Sequence, residues 1–332
     1  MALRPESVGI IANPASGKDI RRLVGHASVF DNNEKVQVVR RVLLALDAAG
    51  VRRVLAMPDY YGIVRRAAEP LALRLSVDYV SGELSGHESD TTVAAAAMAT
   101  AAVAAIVTLG GDGTNRAAAL GTCAVPLIPI STGTNNVFPM MIEGGSAGLA
   151  AGALARGLVH CDEATRLAKC LRLRLPDGSC SLALIDVAVL APSWIGARAL
   201  YDPARLRRVL LSRALPGAMG LAGCGGLLHE VRATDEHGLD LQLTSQAGCG
   251  ELVNAPLAPG LFRMLRVARR QQLCLGEPIR LDGPCLLALD GERAIEVAEG
   301  ESASVVLKRD GPPVVDVERC LSLAARRGLL RC

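Results

Sequence analysis

Between residues 8 and 135, short apolar runs of strand length alternate with stretches of helical spacing, and two of the runs lead straight into glycine-rich loops. That alternation points to a doubly wound α/β layer, a parallel sheet covered by helices on both faces. The strands read as Val8–Ala12, Val54–Met57, Leu75–Val80, Ala105–Leu109 and Val125–Ile130. The spacing predicts a helix over Val36–Ala49, with Val39, Val42, Leu43 and Leu46 on one face and Gly50 at its end. Further helices are expected at Tyr61–Ala68, at Val93–Val103 behind the N-cap candidates Ser89–Thr92, and from Arg116 to Leu120. Open sheets of this kind take ligands at the carboxyl ends of their strands. The segments Asn13-Pro14-Ala15-Ser16-Gly17 and Gly110-Gly111-Asp112-Gly113-Thr114-Asn115 both stand there.

The pattern changes near Cys161. Lys169–Leu175, Ser181–Leu190, Glu230–Ala233, Leu239–Ser245, Cys285–Leu289 and Ala294–Val297 read as strands separated by turns such as Pro176-Asp177-Gly178. Arg198–Arg213 is expected to be a helical insertion, and Gly220–Gly226 either a bulged strand or a close approach to a ligand. Val314–Arg327 carries a helical face of Val317, Leu321 and Ala324. The expected organisation is an α/β N-terminal doubly wound domain over residues 1–150 and a mainly β C-terminal domain over 151–305. Residues 306–332 would pack back on the first.

Composition removes several function classes. The net charge of +3 is too small for a polyanionic partner, and one Trp, three Phe and four Tyr offer few stacking platforms, so no nucleic-acid partner is expected. The ten cysteines contain no Cys-x-x-Cys pair and the histidines show no ligand spacing, so reduced thiols and no protein metal site are expected. Thr91–Gly111 is uncharged over a span that could cross a bilayer, but its alanine inserts poorly and it divides into a helix and a strand. The expectation is a cytoplasmic, homo-oligomeric protein with no membrane partner.

The loop after Leu109 carries the strongest chemical signal. Glycines permit positive φ and close backbone approach, and successive amides that open a helix form an anion nest. Gly110, Gly111, Gly113, Thr114 and Asn115 are therefore candidate phosphate-binding residues, with Asp112 facing the same cleft. A plain Asp-Gly hairpin turn needs a strand on either side, whereas an alanine-rich helical segment follows here. Asp290-Gly291, by contrast, lies between two strands and makes a good hairpin turn with no chemistry required. Asp186 stands among apolar residues on a strand, where an acid needs either a partner or a function.

Gly-Gly-Asp-Gly-Thr after a strand resembles the signature of the NAD-kinase and diacylglycerol-kinase superfamily. Asn13–Gly17 resembles its first loop, Gly133-Thr134-Asn135-Asn136 its second nucleotide loop, and Asp290-Gly291-Glu292 the Asp-Gly-Glu of the lipid-kinase branch. The runs Ile11–Arg22, Ile130–Pro139 and Leu287–Arg293 are most similar to the NAD-kinase-like group of acetoin catabolism X proteins. The resemblance implies ATP as donor, Mg²⁺ on its phosphates, and NAD or a related hydroxyl compound as acceptor. It implies that Asn13, Ser16, Gly133, Thr134 and Asn136 hold nucleotide together with the glycine loop. It offers two candidate bases, Asp112 from the NAD-kinase branch and Asp290 from the lipid-kinase branch, with Glu292 beside the second.

One departure matters. NAD kinases grip NAD with an Asn-acid pair after an Ala-Leu strand; here the matching place reads Ala183-Leu184-Ile185-Asp186. Asp186 keeps the acid as a candidate substrate residue, but Ile185 cannot supply the buried amide contact. No Gly-Ser-Thr-Ala-Tyr run is found either. The leading expectation is a small-molecule kinase linked to acetoin catabolism, with a lipid kinase and a nucleotide sensor without turnover as alternatives.

Overall fold

The computed structural model describes residues 6–17, 30–82, 84–133, 136–192, 203–246, 248–291 and 293–331. The first part of the chain forms β1 (Ser7–Ala12), α1 (Asn32–Ala48), β2 (Arg53–Ala56), α2 (Ile63–Ala68), β3 (Ser76–Tyr79), α3 (Glu88–Thr100), β4 (Ile106–Gly110), α4 (Asp112–Gly121), β5 (Leu127–Ser131) and α5 (Gly144–Ala155). There follow α6 (Cys161–Ala164), β6 (Thr165–Leu167), β7 (Cys170–Arg174), β8 (Cys180–Ala183), β9 (Asp186–Leu190), β10 (Leu206–Leu211), α7 (Leu221–Leu228) and β11 (His237–Leu243). The remainder is β12 (Glu251–Ala258), β13 (Leu261–Cys274), β14 (Pro278–Asp282), β15 (Cys285–Leu289), β16 (Arg293–Val297), β17 (Ser302–Lys308), β18 (Pro313–Val315) and α8 (Val317–Arg326).

The first sheet has the order β3-β2-β1-β4-β5-β18-β6, with β1 to β5 parallel and β18 parallel to β5. The chain winds outward from β1 to β3, then returns to the other side at β4. The boundary between β1 and β4 is therefore the topological switch point, where crevices open beyond the strand ends. The strands β1, β4 and β5 are almost wholly buried because helices cover both faces.

On one face, α5 lies tightly along α1. A Cβ at Gly144 or Gly148 would come within 2.6 Å of the Val38 or Val42 carbonyl, so the glycines spaced four apart let the two helices touch. On the other face, α3 and α4 pack Ala95, Met98 and Ala118 against Ile11, Ile106 and Leu127. This apolar cluster continues into the second domain through Leu182, Leu184, Ile185 and Leu211.

The second domain is mainly β, as expected. A seven-stranded antiparallel sheet, β12-β13-β11-β10-β9-β15-β16, faces a four-stranded one, β14-β17-β7-β8. Leu171, Leu173, Val187, Leu210, Leu287, Val305 and Leu307 fill the space between them. Ser181–Leu190, expected as one strand, breaks at Leu184-Ile185 because β8 and β9 belong to different sheets.

Three expectations are corrected here. Within Arg198–Arg213, residues 198–202 lie outside the described residues, and the rest forms a short 3-10 turn and then β10, not a helix. β9 and β11 flank that stretch, and the buried Asp240 accepts Arg208 at 2.8 and 2.6 Å, so an arginine is tolerated within the sheet. Gly220–Gly226 enters helix α7, where Gly225 and Gly226 allow contact with Leu211 and with the Leu215 backbone. Glu230–Ala233 contributes only a bridge, Val231 to Ala214. Thr91–Gly111 divides between α3 and β4, and among the described residues no helix is long and apolar enough to cross a membrane.

Candidate functional site

The loops after β1 and β4 stand side by side at the switch point. The chain passes from β4 through Gly111, which has φ −100°, directly into α4, whose first residue is Asp112. Gly110, Gly111 and Gly113 all avoid positive φ, so conformational freedom is not what the loop draws from glycine. Close approach is. A Cβ on Gly110 would stand 2.4 Å from Thr114 Oγ1, and one on Gly111 would stand 2.9 Å from Asn136 Oδ1. The first-turn amides of such a helix have no intrahelical acceptor, and here they open beside two further loops.

Three side-chain ties assemble those loops. Asn13 Nδ2 donates to Thr114 Oγ1 at 2.9 Å, joining the first loop to α4. Ser16 Oγ lies 2.9 Å from Thr132 Oγ1, joining it to the segment after β5. The Asp112 carboxylate accepts the amides of Val137 at 3.1 and 3.2 Å and of Phe138 at 2.7 Å, anchoring the stretch that follows Gly133 and Asn136. Asn136 Nδ2 donates to Ser131 Oγ at 2.8 Å, which sets its side chain over Gly111. Thr134, Asn135 and Glu292 lie outside the described residues.

Asn115 stands apart from the other candidates. Its side chain is wholly buried, donates to Gly111 O at 2.9 Å and accepts Thr108 Oγ1 at 2.7 Å. The side-chain amide shapes the loop from within.

Asp290 has both characters weighed for it. It occupies the turn between β15 and β16 with φ +50°, a conformation aspartate tolerates. Its side chain turns inward and accepts the amides of Leu184 (2.9 Å), Ile185 (2.8 Å) and Asp186 (3.1 Å). Those are the residues where the chain crosses from β8 to β9, so the carboxylate holds the sheet-to-sheet kink. Burial pushes its pKa up to about 7, and the charge of Asp112 adds to the rise. The Leu184 and Ile185 amides and Arg116 oppose it. The structure thus brings Asp112, Asp186 and Asp290 together at the domain junction, with Ile185 only 1% exposed in the shared core.

Several residues escape a reading of the sequence. Lys35, buried on α1, donates to the carbonyls of Asn13 (2.8 Å) and Ser16 (2.7 Å) and to Asn32 Oδ1 (3.0 Å), propping the first loop from below. Arg116 is completely buried, bonded to Glu88 and 3.8 Å from Asp290. Arg213 lies with its guanidinium 5.0 Å from the Phe138 ring centroid. Burial lowers its pKa to about 10, while the charge of Asp112 favours the cation. The only advance signals were the scarcity of lysine, which made Lys35 unusual, and the isolation of Arg116 in an alanine-rich helix.

A cleft of about 420 Å³ adjoins the first loop, lined by Asn13, Met57, Tyr60, Leu84, His87 and Glu88 among others. Asp59 shapes one rim by accepting the amides of Tyr61 and Ile63, both at 2.9 Å, and burial raises its pKa. Asp90 shapes the other, accepting the Ser85 and Gly86 amides at 3.1 and 2.9 Å. Among the described residues, no three histidines, cysteines or carboxylates converge as a metal cage.

Residues 8–156 match the family model of the ATP-NAD kinase N-terminal domain. Residues 169–310 match that of the acetoin catabolism protein X C-terminal domain. Acetoin catabolism protein X from Cupriavidus necator is 40% identical over 98% of this chain and 94% of its own length. Among solved structures, yeast NADH kinase complexed with NADH aligns with a TM-score of 0.48 and 14% identity, covering 98% of this chain and 87% of that one. A diacylglycerol kinase-like protein from Bacillus anthracis aligns with a TM-score of 0.46 and 12% identity, covering 94% and 98%.

Proposed function

The chain belongs to the acetoin catabolism protein X family, within the NAD-kinase-like superfamily, and from that membership we propose that it transfers a phosphoryl group from ATP to a hydroxyl of a small molecule. One observation carries the reading: the α4 N-terminus opens at the switch point with the first loop tied to it through Asn13 and the third segment through Asp112. A helix N-terminus opening between tied loops supports a phosphate-binding role, and the glycines at 110 and 111 let Thr114 and Asn136 close over the turn.

In this reading the amides of the Gly110–Thr114 turn hold the donor's phosphates and the neighbouring cleft takes its nucleoside. Tyr60, Met57 and Leu84 offer apolar surface there, and Glu88 and His87 offer polar partners. Arg213 contributes positive charge beside Asp112. Magnesium bound with the nucleotide would supply charge neutralisation to the phosphates during transfer. Asp112 and Asp290 are the two candidates for the proton of the acceptor hydroxyl: Asp112 is partly exposed at the loops, whereas Asp290 is sealed with its oxygens taken by three backbone amides, so Asp112 is the better placed.

Ile185 is buried and only its backbone faces Asp290, so the amide contact that NAD kinases make with NAD has no counterpart here. Coupled-enzyme assays of ATP consumption with NAD and with acetoin-related polyols test the proposal. Turnover on any of them supports it, and ATP binding without turnover on every acceptor tried turns the reading to its alternative.

That alternative, a nucleotide sensor without turnover, has one observation in its favour. Asp112 accepts two backbone amides and Asp290 accepts three, so both acids already serve the architecture.

A further inference from the structure

Arg116 sits one turn past Asp112 on α4 with no exposed surface, yet its Nε and Nη1 have no hydrogen-bond partner among the described residues. A guanidinium has five donors, and leaving some unused away from water is costly. Its Nη2 is bonded to Glu88, on the first turn of α3. Its Nε stands 3.8 Å from Asp290 Oδ2, close enough for Coulomb attraction and too far for a hydrogen bond.

The two acids differ in what reaches them. Glu88 has a side chain 41% exposed and lines the cleft, whereas the Asp290 side chain has no exposure at all. Arg116 therefore joins a solvent-facing carboxylate in one domain to a sealed carboxylate in the other. The charges of Arg116 and Asp112, both on α4, act on Asp290, and the Asp186 amide donates to it from β9.

We infer that Arg116 is a positioning residue that couples the filling of the cleft to Asp290. A nucleoside donating a ribose hydroxyl or an exocyclic amine to Glu88 loosens its hold on the guanidinium. The freed guanidinium closes the 3.8 Å gap and stabilises Asp290 as the carboxylate. Filling the cleft thereby readies the acid on the far side of the junction. This inference rests on the cleft being the nucleoside site of the proposed reaction.

The test is proton release on adenosine binding, read by titration calorimetry at pH 7 in buffers of different ionisation enthalpy. Adenosine has no group that titrates near that pH, so released protons come from the protein. Wild type should release on the order of 0.3 to 0.5 proton per site. Arg116→Met should bind adenosine with that release lost, and Arg116→Lys should restore part of it. Glu88→Gln should bind with little release, because its arginine is already free to face Asp290. Release persisting undiminished in Arg116→Met or in Glu88→Gln overturns the coupling while leaving the nucleotide site intact. Should Arg116→Met fail to fold, Glu88→Gln decides. Absence of adenosine binding to wild type overturns the coupling, and a parallel ATP titration shows whether the kinase reading falls with it.

Discussion

Asn13 and Thr114 are 101 positions apart in the chain and joined by a single bond, Nδ2 to Oγ1, of 2.9 Å. It closes the gap between the two loops of the switch point, and Asn13 Oδ1 is at the same time accepting Ala15 N at 2.9 Å. Thr114→Val keeps the shape of the side chain and removes the acceptor. The variant should lose about 1 kcal/mol of stability, and its ATP affinity should fall by roughly five- to tenfold as the loops drift apart. Calorimetric titration of ATP checks this; an unchanged dissociation constant would show that the tie does not set the cradle.

Lys35 makes a stronger claim on the same loop. Its ammonium group serves three acceptors at 2.7 to 3.0 Å from a fully buried position. Lys35→Met fills the space but leaves the Asn13 and Ser16 carbonyls and the Asn32 amide oxygen without that donor. The expected loss is about 3 kcal/mol, or on the order of 10 °C in melting temperature. A thermal melt of the variant within 2 °C or so of wild type would mean that water replaces the ammonium there.

Much of this site is legible in the sequence, because its signals are local. The glycine loop, the strand before it and the helix after it lie within one short window, and the alternation of strands and helices places both loops at strand ends. The helix start is misplaced by four residues, since Asp112 to Asn115 look like loop yet carry the first turn. What is not legible depends on partners far away in the chain. Nothing near Arg116 announces Glu88 or Asp290, and nothing near Lys35 announces the carbonyl of Asn13. The break between β8 and β9 is equally hidden, because an apolar run reads the same whether it serves one sheet or two. Glycine-rich α7 has neither period clearly, and only its packing against Leu211 and Leu215 makes it a helix.

Asp112 is expected to matter to binding as well as to chemistry. An Asp112→Asn variant offers one acceptor oxygen where two amides, Val137 and Phe138, now converge, and it turns an NH₂ group toward them. The segment after Asn136 should shift, weakening ATP binding by about tenfold in addition to suppressing any turnover. Titration of ATP into the variant distinguishes this from a purely chemical role, which would leave affinity at the wild-type value.

Asp290 makes a prediction that needs no substrate. Its folded pKa, about 7, lies above the ordinary aspartate value, so between roughly pH 4 and pH 7 the native chain holds a proton that the unfolded chain has released. The stability this group contributes is therefore complete below the unfolded pKa and is lost as pH rises through the folded one. The span corresponds to on the order of 4 kcal/mol, undiminished by solvent because the side chain is sealed. Asp290→Asn removes the titration. Asparagine also accepts the left-handed backbone at φ +50°, so no strain is added there. Its NH₂ group must face either the Leu184 amide or those of Ile185 and Asp186, which costs about 1–3 kcal/mol at any pH. Urea unfolding at pH 5 should accordingly find the variant less stable than wild type, and at pH 8 the deficit should shrink or reverse. A deficit that stays constant from pH 5 to pH 8 would mean that Asp290 is ionised throughout, and its three amide donors would then outweigh its burial.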